Sequence, residues 1–342
     1  MDVNINFEES STVKTKKLLT IAIPTFNRAE HLRVCLERFG SEFNALSLVE
    51  KDLLSIYISN NASTDNTLSV INEFIQNFPE LTFVNTNSEN IGGDQNIVKC
   101  YMEAESSYVW VFGDDDVIMP GSLSVILDVF TKNKIDMLFI PCRSYADMNV
   151  HDQQINDSRA EIITDPLIFS RRVNINLTFI SAMIVRSKSF GEAEVMLLKN
   201  SNLSQLGWVF SLLINGHKFA ILNNKMIAAK AANTGGYGLI KVFGENLQVL
   251  ADSLLSERPK IARVLQNAVI IDFFPPHILA LRNGESDFDL EADMPKELDR
   301  LFNGNWRYFV FIVPLLFLPL YMAKIYNFFL RMFRRVFRSL LI

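Results

Sequence analysis

Four times in about the first 130 residues the chain repeats one pattern: a short apolar run, a polar loop, then a stretch with helical periodicity. The apolar runs are Leu18 to Ile23, Leu53 to Ser59, Leu81 to Thr86 and Tyr108 to Phe112. After the first, Leu32, Cys35, Leu36 and Phe39 recur at the spacing of one helix face. Thr67 to Phe78, a segment through Ala104 and one beginning near Pro120 follow the others. Strands joined by helices in this way lie parallel with right-handed crossovers, which predicts an α/β fold with a mostly parallel central sheet flanked by helices. Ligands in such sheets bind in the crevice beyond the carboxyl ends of the strands. All four polar loops fall at that edge.

The last loop carries the most charge. The run Tyr108 to Phe112 stops at Gly113, and Asp114, Asp115 and Asp116 follow without a break. Adjacent carboxylates on a rigid strand end repel one another unless a cation neutralises them. Hard divalent cations such as magnesium, manganese or calcium take oxygen ligands of this kind, and Mg²⁺ often shares them with substrate phosphates. An acidic turn capping the helix near Pro120 accounts for the triplet equally well.

The composition excludes several classes. A chain of 342 residues with 49% hydrophobic content can bury a full core. Its net charge of −5 is uneven: residues 305–342 hold six of the 33 basic side chains and no acidic ones, leaving 27 basic against 38 acidic, or −11, in the remainder. An acidic body argues against nucleic acid as partner, because phosphate backbones attract basic surfaces. Cys35, Cys100 and Cys142 are scattered without metal or redox spacing, which fits a reducing compartment. Residues 1–17 read as a polar lead-in without a secretory signal.

Beyond the repeats, Ile135 to Cys142 reads as a strand and Arg143 to Asp165 as an irregular loop over the site. Phe179 to Arg186 reads as a strand, and Gln205 to Asn215 as a helix stopped by Gly216. Phe219 to Lys230 is strand-like. The glycine-rich stretch 233–246 reads as a mobile lid over the site or as a plain turn. Val242 to Leu281 is helical, broken at Pro259 and at Pro275-Pro276. In the tail, Tyr308 to Ala323 is apolar but interrupted by Pro314 and Pro319, short of the roughly 20 residues of a straight membrane span. Arg331, Arg334, Arg335 and Arg338 then share one helical face, with Phe329, Met332, Phe333, Val336, Phe337 and Leu340 around the rest. This is the pattern of a helix lying in a membrane interface, with docking on the body or on a second copy as the alternative. The organisation expected is a lead-in over 1–17, a catalytic domain over 18–240 in two halves (18–142 and 143–240), a helical extension over 241–304, and a membrane-associating tail over 305–342.

Taken together, Thr20 to Arg28, Ile58 to Thr67, Asn90 to Asn96 and Val111 to Asp116 with Met119-Pro120 resemble the motifs of the family-2 glycosyltransferases, which have the Rossmann-like GT-A fold. The match runs from residue 18 to about 130 and is suggestive beyond 180. The resemblance implies transfer of a hexosyl or deoxyhexosyl group from a nucleotide-diphosphate donor to an acceptor hydroxyl. Pro24, Thr25, Phe26, Asn27, Arg28, Asn60, Asn61, Gly92, Gly93 and Asn96 would line the nucleotide-sugar site, with Asp65 ordering the second loop and Asp114 reaching the ribose or a water. Asp115, with Asp114 and Asp116 in support, would hold Mn²⁺ or Mg²⁺ on the diphosphate. Such an ion stabilises the charge that develops on the departing diphosphate.

Departures from the family pattern also count. Many relatives carry Asp in place of Asn60 and Arg in place of Gln95, so the base of the donor is not implied. Inverting members use an Asp or Glu about eleven residues before the glycine of a helix end to take the acceptor's proton. Counting back from Gly216 gives Ser204-Gln205, and neither is a competent base. Asp147, Asp152, Glu192, Glu194 or His217 would have to serve, or the donor's own leaving group accepts the proton in a retaining reaction. Similar bacterial enzymes build O-antigen and other surface polysaccharides. That resemblance and the tail together imply a lipid-linked glycan acceptor and a peripheral position on the cytoplasmic face of the inner membrane. A non-catalytic scaffold, a nucleotidyltransferase, and a homo-oligomer paired through the tail are the rival readings.

Overall fold

Period-two alternation decides how the central sheet is buried. In β1 (Leu19–Thr25), Leu19, Ile21 and Ile23 enter one core while Ala22 enters another; in β4 (Tyr108–Val111), Tyr108 and Trp110 face the first and Val109 and Val111 the second. Both faces are covered, which is why these runs read as continuously apolar. The computed structural model describes residues 16–145, 155, 159–230, 236–286, 288–289 and 293–341.

With β2 (Leu54–Asn60), β3 (Thr82–Thr86), β5 (Val117–Ile118), β6 (Met137–Phe139), β7 (Cys142–Tyr145), β8 (Ala160–Ile163), β9 (Met183–Arg186), β10 (Phe219–Leu222) and β11 (Ile227–Lys230), the strands form two sheets. The larger has the order β3-β2-β1-β4-β9-β6-β10-β8, and the smaller β5-β11-β7. The first four strands are parallel, as expected, and β9 and β8 run against their neighbours. The chain moves outward from β1 through β2 to β3, then returns to the other side of β1 with β4. A crevice therefore opens between the ends of β1 and β4, at the switch point where such sheets bind ligands.

Against one face lie helices Ala29–Ala45, Thr67–Asn77 and Ser122–Lys132. Phe39 meets Trp110 and Phe112 edge-on, with ring centroids 6.1 and 5.0 Å apart. The other face is covered by helices Gly93–Met102 and Leu206–Asn215 and by the C-terminal helices, which share one continuous core from Ala22 to Leu330.

Several elements differ from the sequence reading. Ile135 to Cys142 and Phe219 to Lys230 each split in two, because both chains leave the main sheet near Pro141 and Asn223 and pair again as β7 and β11. The segment Arg143 to Asp165 begins and ends in strands, β7 and β8; most of what lies between falls outside the described residues. A 3₁₀ turn, Ile180–Ala182, takes the first part of the strand expected over Phe179 to Arg186, and another, Asn174–Thr178, precedes it. Pro275 and Pro276 do not break their helix: the chain stays helical from Pro259 to Asn283 through a π-helical turn, Val269–Phe273. A wider turn of this kind directly before the prolines accommodates their missing N–H donors. That 25-residue helix is long and apolar enough to cross a membrane, yet 61% of its most apolar window is buried inside the protein.

The tail is also only partly as expected. Helix Leu320–Leu341 lies along the body through Ala323, Asn327, Leu330 and Arg334, and Arg334 approaches Asp272 at 3.8 Å and donates to the Ile271 carbonyl. Arg334 therefore faces the protein. The outward face carries Tyr321, Ile325, Phe328, Phe329, Met332 and Val336, with Lys324, Arg331 and Arg335 exposed beside them. The side chains of Phe337, Arg338 and Leu340 lie outside the described residues.

Trp110 is fully buried and its Nε1 donates to the Ser181 carbonyl at 2.6 Å. Trp110→Ala is expected to cost about 3–5 kcal/mol, read as a lower urea midpoint at an unchanged denaturant slope.

Candidate active site

Gly113 is where β4 gives way to acid. A Cβ there would stand 3.1 Å from Asp116 Oδ2, 3.2 Å from Asp115 Oδ1 and 3.3 Å from Ser181 Oγ, so any larger residue would push these side chains a few tenths of an ångström off the strand end. All three are buried, with 4%, 7% and 4% exposure for Asp114, Asp115 and Asp116. Buried carboxylates need hydrogen-bond or charge partners. Those partners come from the neighbouring loops.

Asp114 and Asp115 converge on one cation. Arg28 Nη1 lies 3.1 Å from Asp114 Oδ1 and 2.8 Å from Asp115 Oδ2, and Thr25 Oγ1 donates to Asp114 Oδ2 at 2.7 Å across the crevice. Asp116 turns away from this pair. Its Oδ2 accepts from Ser181 Oγ at 2.5 Å and its Oδ1 from the Lys230 amide at 3.1 Å. Tyr145 donates its hydroxyl to the Asp115 carbonyl, and Lys230 Nζ touches His31 Nε2. Arg28, His31 and Lys230 thus put basic groups beside the acids.

Burial pushes the Asp114 carboxyl up to about 6 despite the opposing Arg28 charge, and burial with the Asp115 charge pushes Asp116 up to about 8. Burial disfavours the charge on Arg28, but Asp114 and Asp115 outweigh it and hold the guanidinium protonated. His31 is pushed down by burial and by Lys230. Cys35 lies under the cluster, where burial and then the aspartates push its thiol well up, so it packs as an inert side chain.

The remaining loops divide into exposed and supporting residues. Asp65 accepts from the Ala29 amide at 3.2 Å and from Thr67 N and Oγ1 at 3.0 and 2.5 Å, tying the second loop to the first. Asn27 has a positive φ of 52° and accepts from the Thr64 amide at 2.8 Å. Asn60, Asn61 and Asn96 are buried. Asn60 Oδ1 accepts from Ser63 N at 3.0 Å; Asn61 bridges Asn87, Asn90 and Ile91; and Asn96 holds Ser59. Their amides fix loop shape. Pro24 is half-buried above Thr25. Phe26 is 39% exposed, and Gly92 (φ 87°) and Gly93 are exposed with open space where a side chain would stand.

The sequence-derived base candidates fare differently. His217 and its partner Asp136 (2.7 Å from the His217 amide) lie at the amino ends of β10 and β6, the opposite edge of the sheet from Asp114. Asp147 and Asp152 lie outside the described residues. Glu192 and Glu194 fall in the first turn of helix Glu192–Leu198, their side chains likewise outside them. Gln205 donates Nε2 to the Thr178 carbonyl. Ser181, Tyr145, His31 and Lys230, which contact the acids or each other here, carried no motif and are 65, 30, 84 and 114 residues from Asp116 or Asp115 along the chain.

Carboxylate oxygens are the donors a hard divalent cation takes, and Arg28 already stands as a cation where Asp114 and Asp115 converge, so the pair suits such an ion. Asp116 points its oxygens at Ser181 and the Lys230 amide, and among the described residues no three acid, His or Cys side chains are arranged as a metal-ligand set.

An aspartate whose folded pKa is raised binds protons more tightly in the folded chain, so its contribution to stability is complete below its ordinary value near 3.8 and is lost as pH rises through the raised one. Asp116→Asn is therefore expected to gain stability relative to the wild type as pH goes from about 4 to 8. Parallel unfolding-midpoint curves over that range would contradict it.

The profile for Glycosyl transferase family 2 matches residues 20–192, just over half of the chain. An abequosyltransferase of Salmonella typhimurium is 35% identical over 111 residues, 32% of this chain and 31% of that protein. A chondroitin synthase of Escherichia coli is 29% identical over 125 residues, 36% of this chain and 17% of that one. The match thus spans under a third of either relative. Among solved structures, TarS 1-349 of S. aureus in complex with UDP superposes with a TM-score of 0.58 at 16% identity, covering 91% of this chain and 88% of that one. The fold is the same, and on the residues that build its crevice this chain belongs to glycosyl transferase family 2.

Proposed function

We propose that the protein transfers a sugar from a nucleotide-diphosphate donor to a lipid-linked glycan acceptor in bacterial surface-polysaccharide synthesis. The observation that carries this reading is the convergence of Thr25, Arg28, Asp114 and Asp115 at the switch point. In this reading Phe26 would stack on the base, Asp114 would serve the ribose or a water, and Asp115 would hold a divalent ion. When bound, Mn²⁺ or Mg²⁺ supplies positive charge to the leaving diphosphate. Arg28, His31 and Lys230 add positive charge on the same side, Asp65 keeps the first two loops in register, and the buried asparagines hold the base loop rigid. Within this reading residues 18–142 form the donor half and 143–240 the acceptor half.

The similarity to an abequosyltransferase supports a deoxyhexose donor. The outward face of helix Leu320–Leu341 supports a membrane position, because bulky apolar side chains flanked by Lys324, Arg331 and Arg335 match an anionic lipid surface. Anchoring raises the local concentration of a lipid-borne acceptor. A scaffold without activity keeps the fold but has no use for a cation at Asp115.

Titration with UDP, GDP, CDP and dTDP, each with and without Mn²⁺, is expected to show one nucleotide whose binding the ion tightens about tenfold or more. Asp115→Ala should erase that ion effect, and an unaltered ion effect in the variant would refute the assignment.

Removing the whole tail is a poor test of anchoring, since Tyr308, Phe311, Ile312 and Leu315 belong to the core. Replacing the exposed Phe328, Phe329 and Met332 by serine leaves the docked face intact. That variant is expected to lose co-sedimentation with phosphatidylglycerol vesicles while its melting temperature stays; retention on the vesicles would sink the lipid-surface reading.

A further inference from the structure

Sugar transfer to a hydroxyl needs a group that takes the hydroxyl's proton, and Ser204-Gln205 offers none. The fold brings a carboxylate to that place from a different loop. Asp94, in the first turn of helix Gly93–Met102, accepts a hydrogen bond from Ser204 Oγ at 2.5 Å on Oδ1 and from the Asn202 amide at 3.0 Å on Oδ2. Ser204 is fully buried and Asp94 half-buried; each carboxylate oxygen accepts one bond from the protein and keeps a second acceptor site. Asn200 and Asn202 hold positive φ angles of 60° and 56°, which curls this loop back toward Asp94.

The position is tied to the aspartate cluster. Next to Ser204, Gln205 donates to the Thr178 carbonyl; three residues further on, Ser181 holds Asp116. Two successive 3₁₀ turns, Asn174–Thr178 and Ile180–Ala182, thus link the residue next to Ser204 with Asp116 at the end of β4. Asp94 also follows directly on Gly92-Gly93, where the backbone leaves open space. The neighbouring acids are engaged elsewhere: Asp114 and Asp115 with Arg28, Asp116 with Ser181 and the Lys230 amide, Asp65 with Ala29 and Thr67.

We propose that Asp94 is the general base of the reaction, an assignment that rests on the sugar-transfer reading above. The Asp94 carboxylate takes the proton as the acceptor oxygen forms its bond to the anomeric carbon. The bond from that carbon to the diphosphate breaks, its electron pair leaves on the nucleoside diphosphate, and Asp94 later returns the proton to solvent. Attack of this kind inverts the anomeric centre. Water held by Asp94 is activated in the same way, so slow donor hydrolysis accompanies binding.

The test uses the full chain with UDP-glucose, GDP-mannose, CDP-glucose and dTDP-glucose and follows release of nucleoside diphosphate. D94N keeps both loop contacts, because an amide accepts and donates. It is expected to lose release by about 100-fold or more, with nucleotide affinity and melting temperature unchanged. In D94A, added azide attacks without having to lose a proton, so a glycosyl azide of inverted configuration is expected. Wild-type release rates in D94N, no hydrolysis by wild-type protein that binds the donor, or an azide product of retained configuration would each overturn the role of Asp94 and leave the donor reading standing. Failure of the wild type to bind any of the nucleotides would instead remove the donor reading, and this inference with it.

Discussion

Three carboxylates withdrawn from water at the end of one strand set the terms for the rest of this structure. Asp114, Asp115 and Asp116 are nearly inaccessible, and buried carboxylates are costly unless they are paired or hydrogen-bonded. Arg28 offsets this for two of them, Thr25 binds the first, and Ser181 with the Lys230 amide binds the third. Each partner comes from a different segment. The cluster can exist only if β1, the turn before β9 and the end of β11 are all in place, so the chemistry of the site and the closure of the fold depend on the same contacts.

The arrangement also separates two kinds of polar residue that look alike in the sequence. Asn61 and Asn96 engage both ends of their amides in bonds between loops, whereas Phe26, Gly92 and Gly93 keep open surfaces. The first kind gives rigidity to the second. A crevice whose walls are fixed in advance loses less entropy on binding, which is the physical reason for placing buried asparagines behind a ligand-facing loop.

Distance from the crevice does not make the C-terminal helices an appendage. Val269 to Phe274, Phe311 and Leu315 share a core with Val109 and Val111 of the strand that ends in the aspartates. The last helix fastens one stripe onto this body through Leu330 and Arg334 and leaves the opposite stripe apolar and bare. An amphipathic sequence therefore meets the protein and a second medium at once.

How much of this was legible differs by level. The four parallel strands, their helices and the common edge of their loops followed from periodicity, because each local pattern agrees with the global one. Gly113 and its aspartates announced a charged site for the same reason: such a run is unstable without a partner. Splitting of Phe219 to Lys230 into strands of two sheets was not visible, since apolar character marks burial and says nothing about which sheet buries it. Nor was the exclusion of His217, which a single residue type cannot reveal but strand direction can. The sequence by itself determined the parallel direction of the first four strands, the edge on which their loops gather and the acids that mark it. Only the tertiary structure decided which cation faces those acids, that Asp116 turns away, that Arg334 points inward, and that Asp94 meets Ser204, because each is a pairing between groups far apart in the chain, and distance along a chain carries no record of distance in space.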